Sequence, residues 1–330
     1  MGHSTTPRIG HVFFKTPSAF FLLVSLCICA LGCTRSEQQL ANYDSISFDT
    51  PSLTTSETLY PLKVSDSNGM EIIFEKAPER IIAMDSSVVE ILFAMGEGHR
   101  IVGTHDFVTY PPESSLIPRV GDAFNLNLEV LLELDPDLVF IFSPGAIPNL
   151  ERLGIKALYI NDLQQDLKGI PESIRFWGTI VGNHEDSSKL ASQFEEKIAF
   201  IESKMQEVTA EKSVFQDEGE FWTPGPQTLI GSVFSLLRLK NIAFDVSGYA
   251  QLSPEIIIER NPNIIISSYG DRITQNPAFF TVSAVKSNRI FVPRGDILSV
   301  PGPRYAEGVQ ELATWIYPEL FEPSLQAGEH

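Results

Sequence analysis

At 330 residues, 43% hydrophobic and 20% charged, the chain is long and apolar enough to bury a sizeable core in one large unit or two lobes. Its 24 Lys and Arg stand against 42 Asp and Glu, a formal charge of −18. So acidic a surface repels phosphate backbones and anionic headgroups, which excludes nucleic acid as a favoured partner.

Residues 1–32 read as an export signal. Arg8 and Lys15 form a basic start, "FFLLVSLCICALG" is an apolar run, and small residues lead to Cys33. The pattern predicts cleavage before Cys33 and lipidation of its thiol, hence an extracytoplasmic protein held to the membrane by lipid. The apolar run is short for a transmembrane span. "MGHSTT" fits the short myristoylation pattern, but an export signal follows it directly. Cys27, Cys29 and Cys33 are the only cysteines, so the processed chain keeps one and forms no internal disulfide. Residues 33–59, rich in Ser, Thr and Gln, predict a flexible tether.

The folded part begins near Tyr60 with Asn68-Gly69 between two alternating apolar runs, a hairpin signal. Strand "RIIAM" (80–84) precedes a helix (86–96) whose Ser87 and Glu90 suggest a capping box. Strand "RIVGT", a helix over 127–134, strand "LVFIF", helix "LERLGIK" and strand "ALYI" complete a first α/β lobe, 60–184, which also includes a helix over 165–181. Residues 185–209 predict one long helix, on the order of 37 Å at about 1.5 Å per residue. A second α/β lobe, 210–330, then holds strand "SVF", helices over 228–238 and 254–260, strands "NIIIS" and "RIFVP", and a closing helix over 303–316. The fold expected is α/β: two Rossmann-like lobes with mostly parallel sheets, bridged by the long helix, with a ligand cleft between them.

One phrase occurs in both lobes. "NLEVLLELDPDLVF" (127–140) and "SPEIIIERNPNIII" (253–266) match at a constant offset that pairs Glu129 with Glu255, Glu133 with Glu259, Pro136 with Pro262 and Asp137 with Asn263. Asn127 and Ser253 are N-caps, so each first-turn carboxylate also suits a helix dipole. Their matched placement on two lobes suggests a pair of acidic knobs offered to one symmetric partner.

Together with "APERIIAMDSSVVEILFAMGEGHRIVGT", "YPPE", "AVKSNRIFVPRGD" and "PGPRYAEGVQELA", these phrases cover most of residues 60–318. The chain resembles the extracytoplasmic substrate-binding proteins of ABC importers, in the helical-backbone branch that takes cobalamin, iron-siderophores or haem. The resemblance implies a ligand held between lobes and a permease dimer with ATPase subunits as partner. It also implies that Glu129 and Glu255 dock on arginines of the two permease subunits.

Ligands of open α/β sheets sit at the carboxyl ends of parallel strands. The loops there hold Asp85, Phe107, Tyr110 and Phe124 in the first lobe, with Phe142 at a strand end. They hold Trp222, Tyr269 and Arg304 in the second. Ala123 falls where the family has a cleft tryptophan, and Phe124 is next to it. An excess of aromatics over cations suits a large, weakly charged corrinoid better than an anionic ferric siderophore. Haem would take an axial ligand such as Tyr110, Tyr269 or His105.

His99, His105 and His184 lack ligand-like spacing, so no resident metal or cofactor is expected. "LIGSVF" around Ser232 is no nucleophile elbow, and "GEGHRIVG" (96–103) is a turn entering a strand. Catalytic residues and an extracytoplasmic hydrolase are therefore not expected.

Overall fold

The computed structural model describes residues 60–122, 125–161 and 166–321. The export signal, Cys33, the tether, Phe124 and residues 322–330 lie outside the described residues. Among the described residues, no helix is long and apolar enough to cross a membrane.

The hairpin forms as its turn chemistry dictates. β1 (Leu62–Ser65) pairs antiparallel with β2 (Glu71–Phe74), and Gly69 takes φ +78°. Asp66 Oδ1 closes the turn by accepting from the amides of Asn68 (2.9 Å) and Met70 (2.7 Å).

Then come β3 (Ile81–Ala83), α1 (Ser86–Ala94), β4 (Ile101–Thr104), α2 (Leu128–Glu133), β5 (Leu138–Ile141), α3 (Ile147–Arg152) and β6 (Ala157–Tyr159). The strands form a parallel sheet in the order β4-β3-β5-β6. β3 and β5 are buried along their whole length, as strands covered on both faces must be. The cap of α1 differs from the sequence expectation. Asp85, not Ser87, is the N-cap and accepts from the Ser87 amide at 2.7 Å, and Glu90 is buried rather than part of a capping box.

α4 (Gly169–Val181) ends at Gly182, left-handed at φ +74°, and α5 (His184–Met205) starts after its N-cap Asn183. α5 buries Ala191 and Phe194 in its first half and Ile201 and Met205 in its second, all within one core that includes residues of both sheets. Arg175 of α4 holds Glu195 of α5 through two 2.8 Å bonds.

The second half runs β7 (Lys212–Asp217), β8 (Trp222–Pro224), α6 (Leu229–Leu236), β9 (Leu239–Asn241), β10 (Tyr249–Gln251), α7 (Pro254–Arg260) and β11 (Ile264–Ser267). It ends with α8 (Gly270–Thr274), α9 (Ser283–Lys286), β12 (Ile290–Phe291), α10 (Tyr305–Ile316) and α11 (Pro318–Phe321). Its parallel sheet has the order β12-β11-β7-β9. Read from the other edge, β9-β7-β11-β12 repeats β4-β3-β5-β6 strand for strand. The antiparallel ribbon of β8 and β10 has no sequence-based expectation behind it.

The repeated phrase does the same work in both sheets. α2 and α7 are capped by Asn127 and Ser253 and followed by Asp135 and Asn261, both left-handed at φ +43°. One proline later, Asp137 accepts from the amides of Glu79 (2.8 Å) and Arg80 (3.0 Å) at the entry to β3. Asn263 accepts from the amide of Ser213 at 2.9 Å in β7. Each copy therefore stitches the third strand of its lobe to the first.

Candidate functional site

In both sheets the chain reverses its direction of winding between the first and third strands, β3 and β5 in one, β7 and β11 in the other. The crevice at the carboxyl ends of such a pair is where an open α/β sheet takes a ligand. Asp85 follows β3, Phe142 follows β5, Glu218 follows β7 and Tyr269 follows β11.

The loops after β4 and β12 meet across the two sheets. Thr109 Oγ1, after β4, donates to Asp296 Oδ2 at 2.8 Å, after β12. Arg304, at the N-cap of α10, donates from Nε to Glu90 Oε2 at 3.0 Å, makes a second bond from Nη2 to Oε1, and donates to Asp296 Oδ1 at 3.0 Å. Its guanidinium also lies 3.5 Å from the Tyr110 ring centroid. Burial pushes the Glu90 carboxyl up against the pull of this guanidinium. Asp296 is pushed up by burial too, but its bonds to Thr109 and Arg304 outweigh that and hold it below the usual range. Arg304 thus faces two carboxylates and a ring from the opposite lobe and its own.

Most of the expected aromatics are accessible around this junction: Phe107 (71% exposed), Tyr110, Phe142, Trp222 and Tyr269. Tyr249 on β10 is 55% exposed and was missed from sequence, because the short ribbon that carries it has no periodicity to read. The ribbon is set by a strained turn. Glu220 and Phe221 are left-handed (φ +51° and +65°), which costs on the order of 1 kcal/mol each. Asp217 holds the turn, accepting from Gly219 N (3.0 Å) and Phe221 N (2.9 Å), while Ser267 Oγ donates to its other oxygen at 3.0 Å. Phe221 packs inward on Phe279, and Trp222 emerges.

Asp85 is engaged as a helix cap, also accepting from Ser87 Oγ at 2.6 Å. It lines a cavity of about 200 Å³ with Phe142, Asn161, Trp177 and, from across the junction, Pro301. His105 is occupied on both nitrogens. Nδ1 accepts from Phe107 N at 3.2 Å, which leaves Nε2 to donate to Ser86 Oγ at 3.0 Å. Burial lowers its pKa, so it stays neutral and is not presented as an axial ligand. Arg119 donates to the carbonyls of His105 (3.1 Å) and Val108 (3.0 Å), and Arg272 stacks on Tyr269 at 5.3 Å.

Glu129 and Glu255 are exposed second residues of their helices. The Glu255 carboxyl is held below the usual range by its own backbone amide and the Ser253 hydroxyl. A concavity of about 760 Å³ runs as a groove along α10, lined by Glu307, Glu311 and Trp315. None of the exposed loop aromatics lines it. Among the described residues, no group of three or more His, Cys, Asp or Glu could hold a metal ion.

A family model described as periplasmic binding protein matches residues 81–296. An uncharacterized ABC transporter substrate-binding lipoprotein of Bacillus subtilis, YvrC, is 30% identical over 278 residues, 80% of this chain and 88% of that protein. A cobalamin-binding protein of Halobacterium salinarum is 26% identical over 273 residues, 77% of this chain and 73% of its own length. The solved structure of a periplasmic heme-binding protein, RhuT from Roseiflexus, shares the fold with a TM-score of 0.66 at 24% identity, covering 73% of this chain and 99% of that one.

Proposed function

The chain belongs to the periplasmic binding protein family, solute-binding proteins of ABC importers and not enzymes, and on that premise we propose that its cargo is a corrinoid held between the two lobes. The observation that carries this reading is the rim of the junction. Exposed Phe107, Tyr110, Trp222, Tyr249 and Tyr269 offer apolar faces to a large flat ligand. The arginines nearby already have partners: Arg304 two carboxylates, Arg119 two carbonyls, Arg272 a ring. A curated relative named for cobalamin supports the same choice.

A ferric siderophore or haem is the second reading, favoured by one contact. Arg272 beside the exposed Tyr269 phenol would suit an anionic iron chelate. In either case Glu129 and Glu255 dock the loaded protein on a permease dimer that works with ATPase subunits. Helix α5 keeps the lobes at a nearly fixed separation. The protein acts outside the cytoplasm, tethered through lipid on Cys33 by residues 33–59.

Fluorescence titration of the purified chain tests the ligand. Cyanocobalamin is expected to quench Trp222 saturably, and Trp222→Ala to weaken binding about tenfold or more. Saturable binding of only a ferric chelate or haemin would replace the corrinoid by the second reading.

A further inference from the structure

The second lobe keeps two buried, unpaired side-chain oxygens, on β7 and β8. Gln216 is the penultimate residue of β7 and 5% exposed, and its Nε2 donates to Glu218 Oε1. Gln216 Oε1 is buried and has no hydrogen-bond partner. The same is true of the Thr223 hydroxyl oxygen on β8, fully buried. Leaving buried polar atoms unpaired costs on the order of 1–3 kcal/mol each.

Glu218 itself is open to solvent, where β7 runs out at the winding reversal. It is close enough to Tyr249 and Tyr305 to act on both phenols, and Tyr305 follows Arg304 in the chain. Gln216 fixes one carboxylate oxygen of this exposed residue and leaves the other available to a ligand.

We propose that Glu218, positioned by Gln216, is a ligand-binding residue that accepts an N–H from the cargo, and that this patch selects chelates bearing amide or ammonium donors over those bearing carboxylates or phenolates. The corrinoid reading underlies this choice, since a corrinoid carries primary amides around its rim. A carboxylate on the ligand would meet the charge of Glu218, which has no ion-pair partner among the described residues. Desolvation raises the Glu218 carboxyl, opposed by the Gln216 bond and reinforced by Asp217, and an N–H donor would relieve that.

The test titrates the purified chain and its Glu218→Gln, Glu218→Lys and Gln216→Leu variants. The probes are cyanocobalamin, its monocarboxylic acid derivatives, cationic ferrioxamine B and anionic ferric enterobactin. Expected are cyanocobalamin binding weakened about tenfold or more by Glu218→Gln, and a gain for the carboxylate derivatives in Glu218→Lys. Gln216→Leu should weaken binding only while Glu218 is present. Affinity should fall as pH drops through the raised Glu218 value, with Asp217, Tyr249 and Tyr305 the neighbouring titratable groups, and Glu218→Gln should abolish that dependence.

Cyanocobalamin binding that ignores Glu218→Gln overturns this inference and leaves the corrinoid reading standing. Glu218-dependent binding of ferrioxamine B alone overturns the corrinoid and leaves the inference. Binding of ferric enterobactin alone, or of none of the probes, overturns both.

Discussion

Arg304 makes contacts across the lobes that its place in the sequence does not announce. Its place in a strand-to-helix loop suggests a ligand contact, but its guanidinium is committed to Glu90, whose side chain is 2% exposed, and to Asp296. Removing one partner of a buried pair strands the other. Arg304→Ala is therefore expected to cost about 3–5 kcal/mol at pH 7 in urea unfolding. Burial already raises the Glu90 carboxyl, so the folded state favours its protonated form and loses stability as pH rises through that value. Protonation relieves the stranded charge, and the deficit of Arg304→Ala should narrow as pH falls toward 4. A deficit independent of pH would mean that Glu90 is not the charge being compensated.

At the level of elements, much was legible. Apolar runs bounded by turn residues marked β3, β5, β7 and β11. The Asn-Gly turn marked the first hairpin, and the repeated phrase marked α2 and α7. What was not legible depended on side-chain geometry and packing that residue spacing does not show. Asp85 took the cap that Ser87 was expected to hold, because its carboxylate reaches both the amide and the hydroxyl of Ser87. The ribbon of β8 and β10, three residues each, is too short for any period, so the exposed Tyr249 gave no signal. Glu218, a lone carboxylate after a strand, has no signature in the sequence, and its bond to Gln216 shows only in the fold. Packing of α4 on α5 was likewise invisible. A Cβ on Gly178 would lie 2.0 Å from Ser187 Oγ and 2.8 Å from the Asn183 carbonyl. Gly178→Ala should push the helices apart and cost about 1–3 kcal/mol, read by denaturant unfolding. An unchanged midpoint would show that the α4–α5 contact is looser than this.

At the scale of the molecule, the two sheets share strand order, and the repeated phrase ends in the same stitching bonds in both, so each lobe presents the same helix start to solvent. That duplication is what makes Glu129 and Glu255 a pair. Glu129→Arg with Glu255→Arg is expected to abolish uptake in cells carrying the importer and to leave ligand affinity of the purified chain unchanged. Normal uptake would remove the docking role from these two residues. Ligand capture, in the proposed reading, is a separate property of the crevice beside which the loops after β4 and β12 meet. A crystal structure of the chain grown with cyanocobalamin tests it most directly. The expected result is one corrinoid per chain lying against Tyr110, Trp222 and Tyr249, with the Arg304–Glu90 pair at its edge. A corrinoid bound in the groove along α10, or none bound at saturating concentration, would contradict the account.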